Sequence, residues 1–256
     1  MISKEGRFIF FHIPRTGGSS VQDALWGVNP KNNSDYLGPY DWHLYGFAEH
    51  KVARNPKYFS PLEPVESVVE HIGQALYDWN TSFLAKDSNP YSLSYGKERF
   101  SQYFKFTFVR NPWDRFISLW VKFKEEVKLQ EQFNGLFDLH IDTDFKEPQE
   151  VLRYLVLAHR KDLLLPRWFK PQYEYVHDEN LRILTNYIGQ YEKFQFCFDF
   201  LCDRIDVPHQ TLPWGDEKQR RHHKEKKHYK DYYDDFMINA VAEIYHNDIK
   251  TWQYEF

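Results

Sequence analysis

Two short runs in this 256-residue chain carry the residue types that suit anion chemistry, and each falls where an apolar run gives way to a helical pattern. The first is His12-Ile13-Pro14-Arg15-Thr16-Gly17-Gly18-Ser19-Ser20. Paired glycines let a backbone turn tightly and approach a ligand closely. Successive amides at a helix N-terminus then favour a negative charge. Arg15 adds a cation, and Thr16, Ser19 and Ser20 add hydroxyls. The run lacks the Gly-x4-Gly-Lys-[Ser/Thr] spacing of a Walker A loop. The second run is Phe106-Thr107-Phe108-Val109-Arg110-Asn111-Pro112-Trp113-Asp114-Arg115-Phe116-Ile117-Ser118. Arg110 stands at the carboxyl end of a strand pattern, and Asn111, Arg115 and Ser118 follow at spacings that share a helix face. A guanidinium at the strand end and a hydroxyl two turns into the helix can grip a phosphate from two sides.

The surrounding pattern supplies elements to position these groups. Phe8 to Ile13 reads as a buried strand closed by Pro14, with Val21, Ala24 and Leu25 at helical spacing behind it. Tyr103 to Val109 reads as the clearest strand. Asn111-Pro112 is an N-cap followed by proline at the first helical position, and predicts a helix from Trp113 to Lys128. Further helices are expected over Pro148 to His159, Tyr191 to Ile205 and Tyr229 to Trp252. The last carries Tyr233, Met237, Ala240 and Ile244 on one face. Leu181 to Ile188 reads as another strand. Val65 to Glu70, followed by a helix from Ile72 to Trp79, reads as one more strand-helix unit. Strands alternating with helices predict an α/β fold with a mainly parallel sheet. Such folds bind ligands at the carboxyl ends of their strands, where both runs lie.

Bulk composition narrows the classes. The hydrophobic fraction of 42% and charged fraction of 27% are those of a globular protein. One domain over residues 1–256 is expected, with variable excursions at about 27–100 and 129–180. Aromatics reach 19%, so the core must be built largely from rings. A net charge of −4 gives no global field for nucleic acid. Cys197 and Cys202, five apart on an expected helix, suit buried thiols in a reducing compartment better than a disulfide or a metal site. No apolar run has signal-peptide or transmembrane character, so a cytoplasmic protein without an encoded anchor is expected. No ligand cluster for a metal is evident.

The first run resembles the 5′-phosphosulfate loop of sulfotransferases, which commonly reads Pro-Lys-Thr-Gly-Gly-Thr-Ser; Arg15 stands where that family has lysine. The second resembles the family's 3′-phosphate motif almost letter for letter. Lys170-Pro171-Gln172-Tyr173-Glu174-Tyr175, Tyr187-Ile188-Gly189 with Tyr191-Glu192, and His228-Tyr229-Lys230-Asp231-Tyr232-Tyr233 are similar to the branch holding many carbohydrate O-sulfotransferases. The resemblance implies a P-loop-like three-layer sandwich and transfer of a sulfuryl group from 3′-phosphoadenosine 5′-phosphosulfate (PAPS) to an acceptor hydroxyl on a carbohydrate, without a metal. It implies that Arg15, Thr16, Gly17, Gly18, Ser19 and Ser20 take the 5′ side, and that Arg110 and Ser118 take the 3′-phosphate. It also implies a histidine base in a strand-to-helix setting between the motifs. His71 fits that setting, with His50 and His43 behind it. Between Lys218 and Lys230 lie seven basic residues, three histidines and one acid. Arg220, Arg221 and Lys224 are the candidates there for a loop closing on the nucleotide. Two other classes stay open: a protein that binds the nucleotide without turnover, and an ATP-dependent small-molecule kinase.

Overall fold

The structure is a computed structural model, and it describes residues 2–3, 7–28, 101–126, 130, 133–134, 137, 145–163, 165–177, 181–212 and 228–256. Among these residues four strands form one sheet in chain order: β1 (Ile2–Ser3), β2 (Phe8–Phe10), β3 (Phe104–Val109) and β4 (Tyr187–Gln190). The pairs β2–β3 and β3–β4 are parallel, and β1 runs antiparallel on the outer side of β2. Among the described residues six α-helices flank the sheet: α1 (Gly18–Val28), α2 (Pro112–Glu125), α3 (Pro148–Arg160), α4 (Phe194–Ile205), α5 (Asp235–Ile244) and α6 (His246–Trp252).

Alternation along the strands assigns the two faces. Phe8, Phe10, Phe106 and Phe108 pack with Val21, Ala24 and Leu25 of α1 and with Phe194, Cys197, Phe198 and Leu201 of α4. The rings interlock: Phe10 stacks on Phe106 at 5.1 Å, and Phe108 meets Phe194 edge-on at 5.0 Å. On the other face Ile13 and Val109 pack with Tyr175 and Val176, and with the partly buried Ile188, Trp252 and Tyr254. A larger aromatic core beyond joins α2, α3 and α5 around Phe116, Phe123, Phe133 and Phe169. The result is the expected α/β arrangement, a mainly parallel sheet between helical layers.

Among the described residues the expected elements are present, and their ends move for local reasons. The strand from Phe8 stops at Phe10: the Phe11 amide still donates to Phe106, but the Phe11 carbonyl accepts from the Thr107 hydroxyl at 2.6 Å. A side chain there replaces the ladder. The strand expected over Leu181 to Ile188 lies instead at Tyr187–Gln190, because Leu181 sits at φ 59° and Ile183 only bridges back to His177. The helix from Pro112 ends at Glu125, and the helix from Pro148 extends to Arg160. The segment from Tyr191 begins as a 3₁₀ turn over Tyr191–Lys193 before α4. The long terminal helix is three pieces. A 3₁₀ turn covers Tyr229–Tyr232, Asp234 accepts from the Met237 amide at 2.8 Å to start α5, and Tyr245 separates α5 from α6. Tyr233 thus precedes the helix, yet packs on the same core as Met237, Ala240 and Ile244. The strand at Val65 to Glu70 and the helix after it lie outside the described residues.

Candidate active site at the strand ends

The loop after β2 is shaped by its own side chains. Thr16, fully buried, donates its hydroxyl to the Ile13 carbonyl at 2.9 Å and so closes the turn on itself. Arg15 sits at φ 68° and Gly17 at φ 85°, the left-handed region that glycine enters freely and other residues enter at a cost of roughly 1 kcal/mol or more. A Cβ on Gly17 would fall on the Phe194 ring, and one on Gly18 on the His12 ring. Both glycines are therefore required by packing, and Gly17 also by conformation. The Val21 amide donates to the Gly17 carbonyl at 3.2 Å to begin α1. Ser19 is exposed and Ser20 half-buried on its first turn.

The junction after β3 is held more tightly. Asn111 caps α2, its side-chain oxygen accepting from the Trp113 amide at 3.0 Å. Its own amide donates to Glu192 at 2.6 Å. Arg110 is held at two nitrogens of its guanidinium, by a ring beside it and through its backbone. Its Nε donates to Asp114 at 2.7 Å, its Nη1 donates to the Arg15 carbonyl at 3.1 Å, and its guanidinium lies 4.4 Å from the centroid of the Tyr191 ring. Its main-chain N–H and carbonyl both bond the Gln172 side chain, each at 2.8 Å.

Because β2 and β3 are parallel neighbours, their two following loops emerge side by side. Arg15 Nε donates to Ser118 Oγ at 2.9 Å across 103 residues of sequence. Arg15, Arg110 and Ser118 thus converge. The Arg15 pKa is pushed down, first by burial and then by the nearby Arg110 charge, with Tyr191 and Glu125 opposing. Arginine stays charged regardless. Two guanidiniums held close against their repulsion, with a hydroxyl beside them, are chemically suited to an anion.

Arg115 does not share the face expected of it. It is 1% exposed and points inward, donating Nε to the Pro14 carbonyl at 3.0 Å, Nη1 to Lys170 at 3.1 Å and Nη2 to Trp168 at 3.1 Å. Helical spacing alone had grouped it with Ser118; three carbonyls from two other segments draw it away. Its role is to brace the first loop from below.

A family model described as "Sulfotransferase family" matches residues 1–255. The chain belongs to the sulfotransferase family. No curated protein and no solved structure matches it. Sulfuryl transfer to an acceptor is the general reaction of this sulfotransferase, and the two runs that carry its Gly-Gly and Arg-Asn-Pro segments stand at the strand ends of an α/β sheet. Among the described residues no group of His, Cys, Asp or Glu could hold a metal ion, and no helix is long and apolar enough to cross a membrane. His71, His50, His43, Arg220, Arg221 and Lys224 lie outside the described residues.

Sequence reasoning gave no role to four residues that shape the site of the sulfotransferase. Asp114 and Tyr191 fix the Arg110 guanidinium. Gln172 holds the Arg110 backbone, and Asp248 holds Gln172. Asp248 is fully buried, and it accepts from the Gln172 amide at 2.9 Å, the Gln172 side chain at 3.2 Å and the Tyr173 amide at 2.7 Å. Burial pushes its carboxyl up to about 6, against the opposing pull of Arg115 and the donated hydrogen bonds. The Lys170-Pro171-Gln172-Tyr173 run had stood out by resemblance. Asp248, a lone acid in the last helix, carried no sequence signal.

Proposed function

We propose that this sulfotransferase takes its sulfuryl group from PAPS and passes it to a hydroxyl of a carbohydrate acceptor. The observation that carries the donor is the convergence of Arg15, Arg110 and Ser118 at the ends of two adjacent parallel strands. In this reading Arg110 and Ser118 hold the ribose 3′-phosphate, and Tyr191 and Asp114 keep the Arg110 fork in place. Arg15, the amides of Gly17 and Gly18, and the hydroxyls of Ser19 and Ser20 face the 5′ side. Thr16 serves through its backbone, its hydroxyl being engaged with Ile13. PAPS supplies a sulfuryl group on an anhydride with phosphate. The acceptor oxygen bonds to sulfur as the bond from sulfur to the phosphate oxygen breaks, and 3′-phosphoadenosine 5′-phosphate leaves with the electron pair. We assign the acceptor proton to His71, with His50 and His43 as the alternatives, and the closing cations to Arg220, Arg221 and Lys224. Charge growing on the leaving phosphate is met by Arg15 and the loop amides. The carbohydrate acceptor rests on the resemblance of the Lys170–Tyr175 and His228–Tyr233 runs. The free thiols of Cys197 and Cys202, both buried, favour the cytoplasm.

A binding protein without turnover is the second reading, favoured by one observation: the Arg15 Nε is engaged with Ser118 instead of facing a leaving group. Calorimetry with 3′-phosphoadenosine 5′-phosphate and with ADP tests the donor. The wild type is expected to prefer the 3′-phosphorylated nucleotide strongly. Arg110→Ala should weaken it by about 30-fold and Ser118→Ala by about fivefold, the worth of a charged and an ordinary hydrogen bond. ADP binding should change less than about threefold in both. Equal losses for the two nucleotides would refute the 3′-phosphate assignment, and ATP-dependent phosphorylation would move the kinase class ahead.

A further inference from the structure

We infer that Gln172 is a positioning residue for Arg110, acting as a one-residue extension of the sheet that is itself locked by Asp248. This rests on the reading of Arg110 as the 3′-phosphate ligand and adds the device that aims it.

The geometry leaves the Gln172 side chain no freedom. It is fully buried. Its Oε1 accepts from the Arg110 amide at 2.8 Å and its Nε2 donates to the Arg110 carbonyl at 2.8 Å. Those are the two bonds a neighbouring strand would make to the residue just past β3. The amide therefore copies a peptide unit where the sheet has ended. Its orientation is dictated by the partners, since the Arg110 N–H only donates and the carbonyl only accepts. The second Nε2 hydrogen goes to Asp248 Oδ2 at 3.2 Å. The same carboxylate accepts the Gln172 and Tyr173 amides, so it fixes both ends of the Gln172 residue. From Asp248 to the Arg110 guanidinium the chain of bonds is unbroken.

Arg110 needs such a hold. Its backbone lies between β3 and the cap of α2, and its guanidinium makes contacts to Asp114, Arg15 and Tyr191 that only one backbone placement can satisfy together. A displacement of order 1 Å at a ligand-gripping group can cost on the order of 100-fold in function.

The test uses Gln172→Glu, which matches the shape but replaces the Nε2 donor with an acceptor facing the Arg110 carbonyl and the Asp248 carboxylate. Three readouts apply: calorimetry with 3′-phosphoadenosine 5′-phosphate and with ADP, urea unfolding, and the Arg110 side-chain Nε–H signal in ¹⁵N-arginine-labelled protein, assigned with Arg110→Lys. Gln172→Glu is expected to weaken the 3′-phosphorylated nucleotide about 10- to 100-fold, leave ADP nearly unchanged, and shift or broaden the Arg110 signal. The swap Gln172→Glu with Asp248→Asn removes the carboxylate repulsion but not the loss of the donor to Arg110. It should recover part of the stability, since the amide at 248 keeps one acceptor oxygen for the two main-chain N–H groups of Gln172 and Tyr173, while nucleotide preference stays low. Preference that returns in step with stability would reduce Gln172 to a purely structural role and overturn the inference. An unchanged Arg110 signal in folded Gln172→Glu would overturn it as well, whatever the nucleotide data. A wild type that binds both nucleotides equally would instead refute the 3′-phosphate reading, and the Arg110 signal would still decide whether Gln172 positions that residue.

Discussion

Replacing Arg115 with methionine tests how the loop after β2 is supported. The guanidinium is buried and makes three bonds, at 3.0, 3.1 and 3.1 Å, to the carbonyls of Pro14, Lys170 and Trp168. Bonds to a charged group contribute about 1.5 kcal/mol or more each, so their loss amounts to roughly 4–5 kcal/mol. Methionine keeps an unbranched stem in the space and removes the cost of holding a cation out of water, which offsets part of this. Against that, Asp248 loses the cation that opposes its protonation. Removing one member of a buried charged set typically costs about 3–5 kcal/mol, and about 4 kcal/mol is the expected net loss. With roughly 3 °C per kcal/mol for a chain of this size, the midpoint of thermal unfolding should fall by about 12 °C. Urea titrations give the free energy directly, and an unchanged m-value would show that the unfolding reaction is the same. Arg115→Met within about 1 kcal/mol of the wild type would refute the bracing role and return Arg115 to the candidates for ligand contact.

Two further outcomes are expected. Gly17→Ala meets both the φ of 85° and the Phe194 ring, and should destabilise by roughly 2–4 kcal/mol, of which Phe194→Leu in the same chain should recover only the steric part. Asp248, raised to about 6 from its usual 3.8, gives the fold a contribution fully present below pH 3.8 and lost as pH rises through 6. Asp248→Asn removes that dependence, so the stability difference between wild type and variant should change by roughly 2 kcal/mol between pH 4 and pH 7. Arg115, Glu174 and Tyr245 share that interior, and Glu174 is itself raised by burial. Comparing the variant with the wild type isolates Asp248, and parallel pH profiles would rule it out as the source.

What the sequence disclosed was whatever local chemistry governs. Asn111-Pro112 announced the start of α2, because capping involves only residues two or three positions away. The alternation in Phe104–Val109 announced β3, because one face packs on α1 and α4. The two loops at the strand ends were legible for the same reason, each being a contiguous run. Gln172 and Asp248 escaped, because their partners lie 62 and 76 residues away and nothing nearby signals the pairing. Arg115 was misassigned because helical spacing tells which residues share a face but not which buried carbonyls will draw a long side chain inward. The strand at Tyr187–Gln190 was placed too early because the apolar run before it lacks the left-handed turn at Leu181 in its pattern.

The parallel pairing of β2 with β3 has a consequence for how the chain acquires its shape. The Phe11–Thr107 bond joins residues 96 apart and the Arg15–Ser118 bond joins residues 103 apart. Contacts at such separation raise contact order, and the entropy of closing the intervening segment is lost before the contact can reward it. The helices on either side form from neighbours and can precede it. The proposed anion site, whose Arg15–Ser118 contact straddles this one pairing, should therefore be among the last features to exist during refolding. Recovery of nucleotide binding should follow the slowest phase of sheet formation, while helical signal returns ahead of it.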